Sequence, residues 1–243
     1  MYVFDFWSVT INILKTIRSV SNQFEVKTYL VGGVIRDYIL YSKVVKDIDI
    51  LVIGDGIKFS KLIANELNCK VQIFKNYGTA MIKVNGFQLE FVGARKESYD
   101  RNSRNPSVSI GTLEDDLARR DFTLNALAVG LSNSNTGKLI DLFDGIKHLK
   151  QGILKTPKDP YKTFYDDPLR MLRAIRFACR HNFKIDNDDF KCITSEYDRI
   201  KIISKERINI ELNKILMTER PSTGFKLLDD SKLLSVIIPE LCS

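Results

Sequence analysis

The stretch VKTYLVGGVIRDYILYSKVVKDIDILVI, residues 26–53, decides the fold because its rhythm changes within a single run. Val26 to Val31 reads as a strand, Gly32-Gly33 as a break, Val34 to Tyr41 as a short helix, and Asp47 to Ile53 as a second strand. Strand, turn, helix, strand is the opening of an α/β unit. Residues two apart on a strand point to the same face, so Asp47 and Asp49 set two carboxylates side by side while Ile48 turns away. Adjacent anions repel unless a cation sits between them, and magnesium takes such oxygens together with substrate phosphates. A two-metal arrangement there would activate an attacking hydroxyl and stabilise a leaving pyrophosphate. A glycine pair before a helix lets backbone N–H groups approach a phosphate, the helix N-terminus adds partial positive charge, and Arg36 supplies a counter-charge one turn in. Taken singly, the aspartates also fit a solvated strand start and the glycines a plain turn; their order and spacing favour a site.

Working outward, apolar residues from about Asp5 to Asn22 are spaced for an amphipathic helix. Downstream come a helix near Lys58 to Leu67, strands at Val71 to Phe74 and Thr79 to Val84, and a hairpin signalled by Asn85-Gly86 before FQLEFVGAR. The sheet is therefore mixed. Glu90, flanked by Leu89 and Phe91 on the opposite face, is the best-placed third carboxylate, although an exposed strand position explains it as well. Arg95 to Gly111 is polar and aperiodic and reads as a long mobile loop, after which DFTLNALAVGL rejoins the sheet. Beyond about Thr156 the strand signals vanish and helices are expected over residues 166–182, 187–198, 205–217 and 222–229. The simplest division is an α/β head, residues 1–155, followed by an all-helical segment, residues 156–243.

Two further constellations carry charge. Arg119-Arg120-Asp121 is either an ordinary salt bridge or, next to a phosphate site, a clamp for a ribose or triphosphate. In DDPLRMLRAIRFACR, residues 166–180, Pro168 suits a first helical turn with Asp166 or Asp167 as its cap. Asp167, Arg170, Arg173 and Arg176 recur every three residues, and at about 100° per residue they draw a polar stripe spiralling round the helix. Leu169, Leu172 and Ile175 form a parallel apolar stripe for the core. Such a spiral suits an extended anion such as a nucleoside triphosphate better than isolated surface ion pairs.

Composition sets the limits. The 243 residues carry 37 Lys plus Arg against 30 Asp plus Glu, a net charge of +7, with 44% hydrophobic residues. Disorder, collagen and coiled coil are excluded, and the basic balance leans towards polyanionic partners. Cys69, Cys179, Cys192 and Cys242 are far apart, and with His148 and His181 they offer neither a zinc pattern nor a disulfide framework. No run approaches a membrane span and no signal peptide is legible, so a reducing cytoplasm is expected.

Together these residues make the sequence similar to the class II tRNA nucleotidyltransferase family, the CCA-adding enzymes and their bacterial poly(A) polymerase relatives. LVGGVIRD with DID resembles the family's nucleotidyltransferase signature and RRDFTLNALA its second motif. DDPLRMLRAIRFA resembles the nucleotide-selecting motif, KERINIELNKIL a downstream neck motif, and NYGTAM and IGTLEDD resemble segments of the bacterial CCA-adding type. The resemblance implies a head of the polymerase-β-like nucleotidyltransferase fold with Mg2+ held by Asp47 and Asp49. It also implies that Gly33, Arg36 and Arg120 contact the incoming nucleotide, that Asp167 and Arg170 read its base, and that Arg173 and Arg176 complete the nucleotide site. The substrates implied are CTP, ATP and the tRNA 3′ end.

The base-reading idea has its own physical logic. Cytosine and adenine share an amino donor beside a ring-nitrogen acceptor, whereas uracil and guanine offer a carbonyl beside a ring N–H. A carboxylate, which only accepts, and a guanidinium, which only donates, satisfy the first pair and leave the second unmatched. Two departures from the family pattern stand out: Asp166-Asp167 replaces its usual Glu-Asp, and the chain ends at PELCS, where the family's neck passes into a body and tail. The expectation is either a truncated or reduced enzyme, or tRNA binding that depends on something outside this sequence. The alternatives are a poly(A) polymerase or an enzyme adding only CC or only A, and the loop at Arg95 to Gly111, which CC-only relatives lack, favours addition of the final A. A non-catalytic RNA-binding module would not need the aspartate pair, and a small-molecule nucleotidyltransferase would not need RRDFTLNALA or DDPLR.

Overall fold

The computed structural model describes residues 7–43, 45–98, 107–132 and 135–241. The chain divides into two compact units. The first takes residues up to Ser98 together with Ser107–Arg120 and Leu124–Gly145; Asp121–Thr123 and everything from Ile146 belong to the second.

In the first unit, α1 (Trp7–Gln23) leads into β1 (Thr28–Val31), α2 (Gly33–Tyr41), β2 (Asp47–Val52), α3 (Gly56–Glu66), β3 (Val71–Phe74), β4 (Thr79–Val84) and β5 (Phe87–Gly93). There follow β6 (Arg95–Ser98), β7 (Ser107–Ile110), α4 (Leu113–Ala118), β8 (Leu127–Gly130) and β9 (Leu139–Asp141). Seven strands form one sheet in the order β3-β4-β5-β2-β1-β8-β9. Only β2 and β5 run parallel; their neighbours pair antiparallel, so the expected mixed sheet is present. The Asn85-Gly86 turn takes positive φ at both residues, 50° and 79°, as a tight hairpin requires.

Period-two alternation gives the sheet two different faces. Ile48 and Ile50 of β2 and Leu89 and Phe91 of β5 are fully buried, and Phe59 of α3 meets Phe91 at 6.0 Å between ring centroids. On the other face Tyr29, Val31, Leu51, Ala126 and Ala128 form a compact core with Leu113 and Leu117 of α4. Asp47 and Asp49 lie on this second face, at the β2 end away from Leu51.

The stretch from Arg95 to Gly111 is not a loop throughout. Its ends pair as β6 and β7, in register Arg95↔Ile110 to Ser98↔Ser107, and residues 99–106 lie outside the described residues. RKES of β6 carries no apolar alternation and SVSI of β7 alternates over only four residues, so mutual pairing more than local pattern makes them strands.

The second unit contains α5 (Gly145–Gln151), β10 (Ile153–Leu154), α6 (Pro160–Asp166), α7 (Leu169–His181), β11 (Lys184–Ile185), α8 (Asn187–Glu196), α9 (Lys205–Leu216), α10 (Pro221–Asp230) and α11 (Leu233–Ile237). Among the described residues it is helical apart from the two-residue parallel pair β10–β11, which the sequence reading missed. The helix expected from Asp166 is broken at its start. Asp167 precedes Pro168, whose ring disfavours helical geometry at the preceding residue, and Asp167 accordingly adopts φ −140°, ψ 98° between α6 and α7. Asp159 caps α6 by accepting from the Lys162 N–H at 3.0 Å, with Pro160 in the first turn. Among the described residues no helix is long and apolar enough to cross a membrane, and Cys69, Cys179 and Cys192 form no disulfide.

Candidate functional site

In the first unit the carboxylates converge by strand register. Asp47 is exposed and Asp49 partly buried on β2, and the parallel pairing sets Glu90 of β5 directly beside Asp49. On the other flank Val31 pairs with Asp49, so the chain turns at Gly32 immediately next to this carboxylate. Burial pushes the Asp49 carboxyl up to about 6; Arg120 pulls it down, while the negative charges of Glu90 and Asp47 push it further up. Three carboxylates on one face, one of them reluctant to ionise, form a set that a divalent cation would relieve. Among the described residues no three His, Cys, Asp or Glu side chains gather into a closed cage. The donors present suit magnesium, which takes one or two carboxylates and completes its octahedron with water and phosphate oxygens.

The glycine turn and the arginines pack around the same point. Gly32 has φ 76°, and a Cβ there would lie 3.0 Å from Arg120 Nη1 and 3.5 Å from Asp49 Oδ2. Only glycine leaves that space between guanidinium and carboxylate. The Arg36 guanidinium folds back over the start of α2, and a Cβ on Gly33 would come within 3.3 Å of its Nη2. Buried Arg36 donates to Asp37 at 2.7 Å and to the Asn125 side-chain oxygen at 2.6 Å. Arg120 donates to the Asn125 carbonyl at 3.3 Å, so Asn125 ties the two arginines together.

Helix α4 sets Arg120 in place. Thr112 and Asp115 form a reciprocal capping box, Leu113 and Leu117 anchor the apolar side, and the C-terminal end carries Arg119 and Arg120. Both arginines grip the fully buried Asp116: Arg119 through Nε at 3.0 Å, and Arg120 through Nε and Nη2 at 3.2 and 3.0 Å. The sequence reading considered Asp121 as their partner. The structure gives them Asp116 instead, three and four residues earlier on one helical face.

In the second unit Asp121 accepts from Arg173 Nε and Nη2 at 2.9 and 2.6 Å. Arg176 is buried, donates to Glu211 of α9 at 2.5 Å and lies 4.1 Å from the centre of the Phe177 ring. Burial lowers the Arg176 pKa and Glu211 opposes it, while Asp121 raises that of Arg173. Arg170 donates to the Thr163 carbonyl at 3.3 Å. Asp167 accepts from the Leu169 N–H at 3.2 Å and from Arg207 of α9 at 3.1 Å. The polar spiral thus starts at Arg170, with Asp167 in the break before it, and each of its arginines has a protein partner. Leu169, Leu172 and Ile175 are buried as the apolar stripe implied.

The sequence reading placed Asp47, Asp49, Glu90, Gly33, Arg36 and Arg120 in the head, and the structure brings all six into the first unit. Asp167, Arg170, Arg173 and Arg176 fall in the second. Sequence reasoning overlooked Asp116, Asn125, Arg207 and Glu211. The first was legible as a carboxylate one turn before two arginines, and the last two as an Arg/Glu pair spaced i, i+4 in KERINIELNKIL.

Known proteins are similar to this chain in sequence and in fold. Residues 28–155 match the family described as the poly A polymerase head domain, and residues 182–243 match one described as a probable RNA and SrmB-binding site of polymerase A. An A-adding tRNA nucleotidyltransferase of Aquifex aeolicus is 41% identical over 167 residues, 69% of this chain and 20% of the relative. A CCA-adding enzyme of Ligilactobacillus salivarius is 34% identical over 209 residues, 85% of this chain and 50% of the relative. The chain therefore spans half or less of the length of these curated relatives. Among solved structures, an apo CCA-adding enzyme superposes with a TM-score of 0.85 at 28% identity, covering 96% of this chain and 57% of that one. A tRNA nucleotidyltransferase complexed with a primer tRNA and an incoming ATP analogue gives 0.81 at 32% identity, covering 91% and 62%. With the head match extending over more than half of its length, and the carboxylates, glycine turn and arginines gathered inside that match, the chain belongs to the poly A polymerase head-domain family.

Proposed function

We propose that this chain carries the catalytic portion of a CCA tRNA nucleotidyltransferase, which transfers CMP and AMP from CTP and ATP to the 3′ end of tRNA without a nucleic-acid template. The observation that carries this reading is the register of β2 and β5, which sets Asp47, Asp49 and Glu90 on one face beside the Gly32-Gly33 turn and Arg120. The terminal ribose hydroxyl attacks the α-phosphorus, a new P–O bond forms as the α–β P–O bond breaks, pyrophosphate leaves and the hydroxyl proton passes to water. Magnesium bound by Asp47 and Asp49 would lower the hydroxyl's pKa and neutralise the leaving group. Gly33, at the start of α2, lets backbone approach a phosphate, and Arg36 and Arg120 offset its charge. Asp167 and Arg170 present the acceptor and donor that cytosine and adenine share and that uracil and guanine mismatch. Arg173 and Arg176 hold that helix to its neighbours through Asp121 and Glu211 and complete the nucleotide site. We infer a cytoplasmic setting for this activity.

The test is incubation with magnesium, a tRNA lacking its last three nucleotides, and each labelled triphosphate singly and together. Products that stop at C-C-A support the reading, and Asp49→Asn should lower the rate at least about a thousandfold with the fold intact by circular dichroism. Wild-type incorporation of all four nucleotides without preference would overturn it. A second reading, addition of A alone to a tRNA ending in C-C, is favoured by the 41% identity to an A-adding enzyme. A lone A on the C-C-ended substrate, with no C added to the shorter one, would select it.

A further inference from the structure

We propose that Arg207 is a positioning residue that fixes the Asp167 carboxylate in the orientation from which it reads the base. This inference rests on the base-reading role given above to Asp167 and Arg170. A carboxylate discriminates between bases only if its acceptor oxygens are fixed in space, and Asp167 does not sit on a helix that would fix it. Pro168 forces it into an extended conformation between α6 and α7, with φ −140° and ψ 98°. Two contacts take the place of helical restraint. Oδ1 accepts from the Leu169 N–H at 3.2 Å, and Oδ2 accepts from Arg207 Nη2 at 3.1 Å. One donor is backbone and immobile; the other is a guanidinium on α9.

The partner that could move is itself held on a built face. Four residues along α9, one turn on, Glu211 is buried against Arg176 at 2.5 Å and also accepts from Lys214 at 3.1 Å. The helix that presents Arg207 is thus tied to α7, the helix that carries Arg170. The Arg207–Asp167 pair is only partly shielded, with side-chain exposures of 39% and 24%, and a pair so placed adds little to stability. Its effect is geometric. With each oxygen anchored by one donor, rotation of the carboxylate about its terminal bond is blocked, and each oxygen keeps a lone pair for a base. Without Arg207 only the Oδ1 contact remains, and the carboxylate can swing and exchange its oxygens.

The experiment measures dissociation constants of the full chain for ATP, CTP, GTP and UTP, with inorganic triphosphate as a base-free probe, for wild type, Arg207→Ala, Arg207→Lys and Asp167→Asn. Wild type should prefer ATP and CTP. Arg207→Ala should lose about tenfold of that preference while triphosphate binding stays within about twofold, and Arg207→Lys, which restores one donor to Oδ2, should recover most of it. Equal weakening of all four nucleotides and of triphosphate would show a merely structural role and overturn the proposal, as would an unchanged preference. Asp167→Asn separates the layers. If it erases the preference while Arg207→Ala does not, the positioning idea alone fails. If it leaves the preference intact, or if wild type shows none, the base-reading role fails and the proposal with it.

Discussion

Asp189 shows how a single carboxyl couples the second unit to pH. It is 1% exposed and accepts from both the Thr156 N–H at 2.7 Å and the Thr156 hydroxyl at 3.0 Å. Burial nevertheless pushes it up to about 6; the Thr156 hydrogen bonds pull against that, and Asp186 adds to it. The folded state therefore holds this proton more tightly than the unfolded chain, whose carboxyl stays near 3.8. The resulting stabilisation is fully present below about pH 4 and is lost as pH rises through about 6, a loss of up to about 3 kcal/mol. Asp189→Asn should lack this component, so the wild-type minus variant stability from urea denaturation should fall across that window and be flat above it. A difference that rises or stays level would contradict the assignment. A residue such as this one was not legible in the sequence because its partner, Thr156, is 33 residues away and is set by packing. Asp47, Asp49 and Glu90 were legible because strand alternation alone decides which way they point.

At the scale of elements, legibility followed the length and regularity of the pattern. β3 and β4 occupy the expected residues, and α1, α3, α8, α9 and α10 fall within two residues or so of their periodic runs. α4 escaped because three of its six residues, Glu114, Asp115 and Asp116, are acidic and show no apolar period; its signal was the cap at Thr112. α6 lies before the first helix expected in this segment, although Asp159-Pro160 is a helix start. The packing of α10 against α7 and α9 gives a direct test. A Cβ on Gly224 would collide with Ile215 Cγ2 and press against Cys179 Sγ at 3.2 Å. Gly224→Ala gains helix propensity but overpacks this contact, and a net destabilisation of about 1–3 kcal/mol is expected in the urea midpoint. A stabilised variant would mean that α10 shifts freely.

For the whole molecule the excess of positive charge sets the behaviour towards polyanions. At +7 the chain should bind tRNA with an affinity that falls linearly in log–log terms as salt rises, with a slope of about −0.9 for each duplex phosphate neutralised. Filter binding across about 50 to 200 mM KCl measures that slope, and a salt-independent affinity would rule out the phosphate contacts. The path of the backbone matters for a different reason. The chain leaves the first unit at Arg120, contributes Asp121–Thr123 to the second, and returns at Leu124 before departing again after Gly145. Those three residues are well used: Asp121 takes Arg173, Phe122 is fully buried and meets Phe177 edge-on at 5.7 Å, and the Thr123 N–H donates to the Lys155 carbonyl at 2.8 Å. The two units are therefore not interchangeable modules. A chimera joined to a relative at any single point in the sequence would graft one unit with its core residues supplied by the wrong parent, so recombination between such proteins has to carry residues 121–123 with the helices they serve.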